Sequence, residues 1–270
     1  MAGFFKFLKI ISKIVVISIL FLLIIVTAGY FFSRANYYDI PILMYHNVSP
    51  LSDGNSTNVT PERFKQQMSF IKTNDYEVIA PQDYAQILTD GKEKATKNLV
   101  MLTFDDGYKN NYTYAYPVLK EYGFRAVIFV VVNKIGEEDY LNVDEIKEMQ
   151  KHGIIIASHT LNEKYVPSLK KVRLNEELCG SKEKLEQMIG KPVEFFAYCS
   201  GGYTIQAQKI LKDAGYLVAF TTNRGFDKSL ANDDPYAIRR IKVSNRDYSF
   251  KLWAKLSGIY NLFRTIRDPY

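Results

Sequence analysis

The sequence predicts an α/β fold: a distorted (β/α) barrel of seven or eight strands, preceded by an N-terminal transmembrane helix. Three observations predict it. Short apolar runs alternate with helix-like segments six or seven times, the pattern of a parallel sheet with helices outside it. Most of those runs are apolar at every position, as strands covered on both faces must be. The chain has 270 residues, and barrels of this kind commonly fill about 200 to 250.

The anchor comes first. Ile14 to Phe32 reads IVVISILFLLIIVTAGYFF, 19 residues without a charge, close to the roughly 20 that carry a helix across a bilayer. Lys6, Lys9 and Lys13 precede it and only Arg34 follows closely. The positive-inside rule then places residues 1–13 in the cytoplasm and everything beyond the linker 33–39 outside. VTAG offers small residues for cleavage, but the run exceeds the usual 7 to 15 or so positions of a signal core, so an uncleaved anchor at the cell membrane is expected. The net charge of +6 falls to +2 once the four cations Lys6, Lys9, Lys13 and Arg34 are set aside. That balance gives no ground for a nucleic-acid partner and supports at most a mild attraction to an anionic envelope. Cys179 and Cys199 are the only cysteines, too few for a disulfide framework and without a zinc-site spacing.

Residues 40–270 read as one domain. IPILMY (40–45) is a strand, and TPERFKQQMSFIKTN (60–74) a helix with Thr60 as cap and Pro61 in its first turn. YEVIA (76–80), NLVMLTF (98–104), RAVIFVVV (125–132), GIIIAS (153–158), VEFFAY (193–198) and YLVAFTT (216–222) continue the strand series. Between them PQDYAQILTDG, NNYTYAYPVLKEYG, VDEIKEMQKHG, LKKVRLNEELCGSKEKLEQMIG and TIQAQKILKDAG are helix-like, each closed by a glycine. The tail SNRDYSFKLWAKLSGIYNLF reads as a final amphipathic helix.

Chemistry in such barrels sits at the C-terminal ends of strands, and most of the polar signals lie there. LTFDDGY (102–108) sets Asp105 and Asp106 side by side. Asp-Gly is a common turn, which accounts for one aspartate and not two. Successive strand side chains point to opposite faces, so both carboxylates serve one site only where the chain bends, and Gly107 supplies the bend. Held close, two like charges repel unless a proton or a cation lies between them, which makes a metal the first suspect. GIIIAS runs into HTLNE, where His159 and Glu163 share a face if the chain turns helical, a workable bite for a divalent ion. AYCSGGY (197–203) ends a third strand, and Gly201 and Gly202 let backbone N–H groups approach an oxyanion. His46 ends the first strand and Arg240 stands near the last; a rim residue or a surface charge is the plain alternative for each. His152, at a helix end, suits a role on the last carbonyls.

TFDDGY, SHT and AYCSGGY, in that order within this alternation, resemble the NodB-homology polysaccharide deacetylases, carbohydrate esterase family 4. ILMYHNV and DPYAIRRIKV are similar to the subgroup containing the biofilm poly-N-acetylglucosamine deacetylases of the intercellular-adhesin type. The likeness spans about Ile40 to Val243. It implies that Asp105 is the general base, that Asp106 and His159 are metal ligands, and that Tyr198, Cys199, Ser200, Gly201 and Gly202 form the oxyanion and acetyl pocket. Three positions depart from the family pattern. Glu163 stands where a second histidine belongs; since glutamate ligates zinc, an Asp106, His159, Glu163 triad holding zinc or another divalent ion is expected, more anionic than the usual set and shifted toward harder ions. Cys199 replaces a proline, and the arginine many members carry in the third motif is absent, with Arg240 as its substitute. His46 is the candidate acid, because the late histidine of other members has no counterpart among His46, His152 and His159.

The expected reaction is therefore metal-dependent removal of N-acetyl groups from N-acetylglucosamine units of a cell-envelope or biofilm polysaccharide. Its rival is a carbohydrate-binding pseudoenzyme of the same fold, with Glu163 as a lost ligand. Phosphoryl transfer from the aspartate pair lacks a glycine-rich phosphate loop. Reporter fusions beyond Arg34 should read out outside the membrane while remaining attached to it; recovery of the domain solely as a soluble, processed form would overturn the anchor.

Overall fold

The computed structural model describes residues 2–37, 40–50, 57–90, 98–222 and 234–257. The chain divides into two units, Met1–Tyr38 and Asp39–Tyr270. The first is helix α1, Ala2–Tyr37. Within it Phe4–Tyr30, 27 residues, is long and apolar enough to cross a membrane. The helix outruns the uncharged stretch at both ends, because lysine and arginine are good helix formers. The expected linker is thus helical as far as Tyr37, and its last two positions, 38 and 39, lie outside the described residues.

In the second unit the elements run β1 (Ile42–Tyr45), β2 (Asn47–Val48), β3 (Asn58–Val59), α2 (Pro61–Thr73), β4 (Glu77–Val78), α3 (Pro81–Asp90) and β5 (Leu99–Phe104). There follow α4 (Tyr116–Tyr122), β6 (Ala126–Val130), α5 (Val143–Lys151), β7 (Ile154–Ser158), α6 (Lys171–Asn175), α7 (Ser181–Ile189), β8 (Phe195–Ala197), α8 (Ile205–Asp213), β9 (Val218–Phe220), β10 (Ile241–Lys242) and α9 (Phe250–Leu256). The main sheet has the order β10-β1-β5-β6-β7-β8-β9, with β4 on β5, and the strand pairs are all parallel. It curls back on itself, since Ile238, just before β10, forms a parallel bridge with Phe220 at the end of β9. This is the expected distorted barrel. One source of distortion is local: β5 pairs with β4 through Leu99 and Val100, and with β6 through Thr103 and Phe104.

The strand residues are buried almost without exception, which is why their sequences show no alternation. Tyr45, Phe64 and Phe104 form an aromatic knot, with ring centroids 5.2 to 5.8 Å apart, that fixes α2 on β1 and β5. Thr60 caps α2 as expected, its hydroxyl accepting from the Arg63 N–H at 3.3 Å.

Two expected helices are interrupted. Residues 111–115 and 176–180 form π-helical turns ahead of α4 and α7. Pro117 lacks the N–H that a regular turn would use, and the wider turn before α4 accommodates it. The second π turn carries Glu177 inward, where its carboxylate accepts from the N–H groups of Leu161 and Asn162 at 2.9 and 2.8 Å. At the C-terminal end, α9 is tied to β10 by Lys255, which pairs with Asp247 at 2.6 Å and donates to the Lys242 carbonyl at 2.7 Å. Residues 244–249 of the expected tail helix form turns rather than helix, and 258–263 lie outside the described residues. Both cysteines carry free thiols.

Candidate active site

β5 ends at Phe104 and delivers Asp105 into the protein, 2% exposed. Arg240, 1% exposed, meets it with both guanidinium nitrogens, Nη1 to Oδ1 at 2.6 Å and Nη2 to Oδ2 at 2.7 Å. Two further donors are also used: Nε bonds the Thr221 carbonyl at 3.2 Å and Nη1 the Thr103 hydroxyl at 3.2 Å. The guanidinium carbon lies 5.3 Å from the centre of the Phe129 ring. Burial raises the Asp105 pKa, but Arg240, His159 and His46 outweigh it and hold the carboxyl below its ordinary value. The arginine placed near the last strand by sequence is thus the partner of the expected base.

Asp106 turns the other way because its backbone is left-handed, φ 72°. Gly107 follows at φ +76°, packed so closely on β6 that a Cβ there would lie 2.9 Å from Val130 Cγ1. Asp106 Oδ1 faces His159 Nε2 at 3.5 Å. Burial, with the Asp105 charge, raises the Asp106 pKa against the pull of His159.

His159 leaves β7 with Nδ1 2.8 Å from the Ala197 carbonyl. That contact makes Nδ1 the nitrogen that donates to the carbonyl and leaves Nε2, toward Asp106, as the nitrogen that would bind a metal. Burial disfavours the His159 cation, yet the Cys199 sulfur beside it and then the carboxylates of Asp105 and Asp106 raise its pKa to about 10.

The helical face expected to join His159 and Glu163 is not formed. Residues 159–163 do not turn helical; Thr160 and Glu163 have left-handed φ values of 66° and 56°, so the four-residue spacing shares no helical face. Glu163 is 41% exposed at its side chain and is ion-paired with Lys134. Among the described residues no three of His, Cys, Asp and Glu come together in a metal-binding group.

The third strand-end loop is shaped by its glycines. A Cβ on Gly201 would lie 2.0 Å from Thr222 Oγ1, and one on Gly202 2.3 Å from the Tyr165 ring. Not every expected oxyanion donor is free: the N–H of Gly201 is spent on the Tyr198 carbonyl and that of Tyr198 on Phe220, each at 2.9 Å. The Tyr198 hydroxyl is turned to the Tyr236 carbonyl at 3.0 Å. Cys199 is buried and its thiol donates to the His159 carbonyl at 3.2 Å, so it ties this loop to the histidine where a proline ring would only stiffen it.

His46 follows β1. Its Nδ1 is buried and has no hydrogen-bond partner. Burial lowers its pKa, opposed by the charges of Asp105 and Asp106. His152 caps α5; its Nδ1 lies 3.3 Å from the Glu148 carbonyl, in line with the expected role on the last carbonyls, and closer, at 2.6 Å, to the Tyr116 hydroxyl. Sequence reasoning passed over Lys134, Thr103, Thr221 and Glu177. Of these only Thr103 stands in a motif, TFDDGY, and each matters through a partner distant in sequence.

The polysaccharide deacetylase profile matches residues 92–219. The Bacillus subtilis (strain 168) protein YxkH is 35% identical over 76% of this chain and 71% of its own. The chain belongs to the NodB-type polysaccharide deacetylase family. A Staphylococcus aureus poly-beta-1,6-N-acetyl-D-glucosamine N-deacetylase is 26% identical over 73% of this chain and 72% of its own. Among solved structures, Streptococcus pyogenes deacetylase PplD in complex with acetate superposes with a TM-score of 0.75 at 29% identity, covering 82% of this chain and 99% of that one. IcaB from Ammonifex degensii superposes with a TM-score of 0.69 at 25% identity, covering 81% and 95%. The protein is therefore a polysaccharide N-deacetylase, a hydrolase of amide bonds, from a family generally dependent on a divalent metal.

The residues present fit such a metal. A charge-assisted N–H···O bond closes to about 2.7 to 2.9 Å, and the Asp106–His159 contact, at 3.5 Å, does not. Two donors that each lie about 2.1 Å from one tetrahedral ion stand roughly 3.4 Å apart. The orphaned Nδ1 of His46 adds an unsatisfied polar atom nearby.

Arg240→Met strands a buried carboxylate and should lower stability by about 3 to 5 kcal/mol in chemical denaturation, with Asp105→Asn/Arg240→Met recovering part of the loss. The pair's contribution should be fully present above the ordinary Asp value of 3.8 and fade as pH falls through the depressed native value. An Arg240→Met variant as stable as wild type would contradict the pairing.

Proposed function

We propose that the protein is a membrane-anchored, divalent-metal-dependent deacetylase that removes acetyl groups from N-acetylglucosamine units of a cell-envelope or biofilm polysaccharide outside the cytoplasm. The observation that carries this reading is the Asp106–His159 pair, spaced at 3.5 Å and lying beside a base held ionised by Arg240. The substrate class is supported by the Staphylococcus aureus relative, which is named for poly-beta-1,6-N-acetyl-D-glucosamine. The apolar helix and the lysines before it support the location.

Asp106 and His159 would hold the cation, zinc foremost, which when bound polarises the acetamide carbonyl and lowers the pKa of water. Asp105 is the base. Buried without a partner it would be protonated and useless for that task; Arg240 keeps it charged and fixes its plane, leaving one lone pair on a carboxylate oxygen for the incoming proton. Arg240 is in this sense a positioning residue. The loop N–H groups of Cys199, Ser200 and Gly202 receive the oxyanion of the tetrahedral intermediate. His46 donates a proton to the departing amine, and burial, by lowering its pKa, makes its imidazolium the readier donor. The products are acetate and a polymer unit with a free amine.

Asp105→Asn should keep the metal while acetate release from N-acetylglucosamine oligomers falls at least about a hundredfold. Asp106→Asn should lose the metal as well. Zinc affinity of the wild type should rise with pH, because metal and proton compete for His159 Nε2. Identical metal content in the two variants would refute this division of labour.

A further inference from the structure

Glu163 is engaged by a cation the protein itself supplies. Lys134 ends the short 3-10 turn Val132–Lys134 after β6. Besides pairing with Glu163, its Nζ donates to the Tyr140 hydroxyl at 2.8 Å and lies 4.8 Å from the centre of that ring. Tyr140 stacks on Tyr108, with ring centroids 5.3 Å apart, and the Leu141 N–H donates to the Gly107 carbonyl at 3.0 Å. The ammonium is therefore moored to the loop that carries Asp105 and Asp106.

Glu163 sits on an equally fixed loop. Glu177, buried, accepts from the Leu161 and Asn162 N–H groups and from Asn162 Nδ2 at 2.8 to 2.9 Å. Asn133 Nδ2 reaches Asn162 Oδ1 at 2.6 Å, joining this loop to the segment of Lys134. Two hydrogen-bonded loops thus hold the lysine and the glutamate together, close enough to Asp106 for the Glu163 charge to act on it. The ion pair itself is half-exposed, 28% at Lys134 and 41% at Glu163, and exposed pairs of this kind are weak enough to open.

We infer that Lys134 competes with the metal for Glu163: by holding this carboxylate it leaves the cation to Asp106 and His159, and removing its charge makes Glu163 a third ligand. The inference rests on the reading of Asp106 and His159 as metal ligands. It accounts for the missing three-donor group and for a glutamate where the family has a neutral histidine. With Lys134 in place the extra negative charge is cancelled locally, and more coordination positions remain for water and the substrate carbonyl.

The test is zinc titration by calorimetry on the chelator-stripped full chain in detergent, for wild type, Lys134→Met, Lys134→Gln, Lys134→Met/Glu163→Gln and Asp106→Asn. Lys134→Gln keeps a polar group for Tyr140 should Lys134→Met fail to fold. Either Lys134 variant should bind zinc about tenfold or more tighter than wild type, the weight a ligand's neighbour commonly carries. The double variant should lose that gain. Unchanged or weaker zinc binding in both single Lys134 variants would overturn the inference, as would a gain that survives Glu163→Gln, since removal of a nearby positive charge would then suffice. If in those cases wild type binds zinc and Asp106→Asn does not, the metal reading stands and only the role of Lys134 falls. No zinc binding by wild type or by the Lys134 variants would overturn both.

Discussion

A carboxylate placed at the end of a buried central strand is costly unless its charge is met at once, and in this protein Arg240 meets it. The Asp105–Arg240 pair has bidentate geometry, and two more guanidinium donors are taken up by Thr103 and Thr221. Such a pair is stable only as a complete unit, since either member alone would be an uncompensated buried charge. Its members come from β5 and from the segment leading into β10. The same contact that keeps Asp105 charged therefore ties the returning end of the curled sheet to its middle, and the order of the site depends on barrel closure.

Around this pair the chain accepts strained backbone. Asp106, Thr160, Glu163 and Ser200 all have left-handed φ values, and all lie in loops at the C-terminal ends of β5, β7 and β8. Residues in that region cost free energy and persist where their surroundings over-determine them. Here the surroundings are specific: Gly107 against Val130, the Glu177 carboxylate under residues 161–162, the Cys199 thiol on the His159 carbonyl, and Gly201 against Thr222. Each aims a side chain or an N–H group that a relaxed turn would point elsewhere.

The charges follow a simple pattern. Asp105 has Arg240 and Glu163 has Lys134, whereas Asp106 has only His159, at a distance too long for a tight hydrogen bond. A contact left open thus lies between two donors whose spacing suits a shared ion. The pairs that are satisfied hold the loops, and the proposed cation site falls at the pair that is not.

The barrel was legible because buried strands and glycine-closed helices leave periodic, local marks; β1, β5, β6 and β7 lie within the apolar runs that foretold them. TFDDGY, SHT and AYCSGGY were legible for the same reason, each being a contiguous stretch whose composition reflects its own backbone. Contacts across the sheet left no such mark. Asp105 and Arg240 are separated by 135 positions, and nothing local to either says that they touch. The spacing of His159 and Glu163 suggested one helical face, and the left-handed turns at Thr160 and Glu163 removed it; Lys134, 29 positions earlier, then took the glutamate. Local sequence determined the elements, the strand-end motifs and the family, because those are set by side chains near in the chain. Tertiary structure alone decided which charge meets which, because electrostatic pairing depends on distance in space, and the curl of the sheet sets that distance.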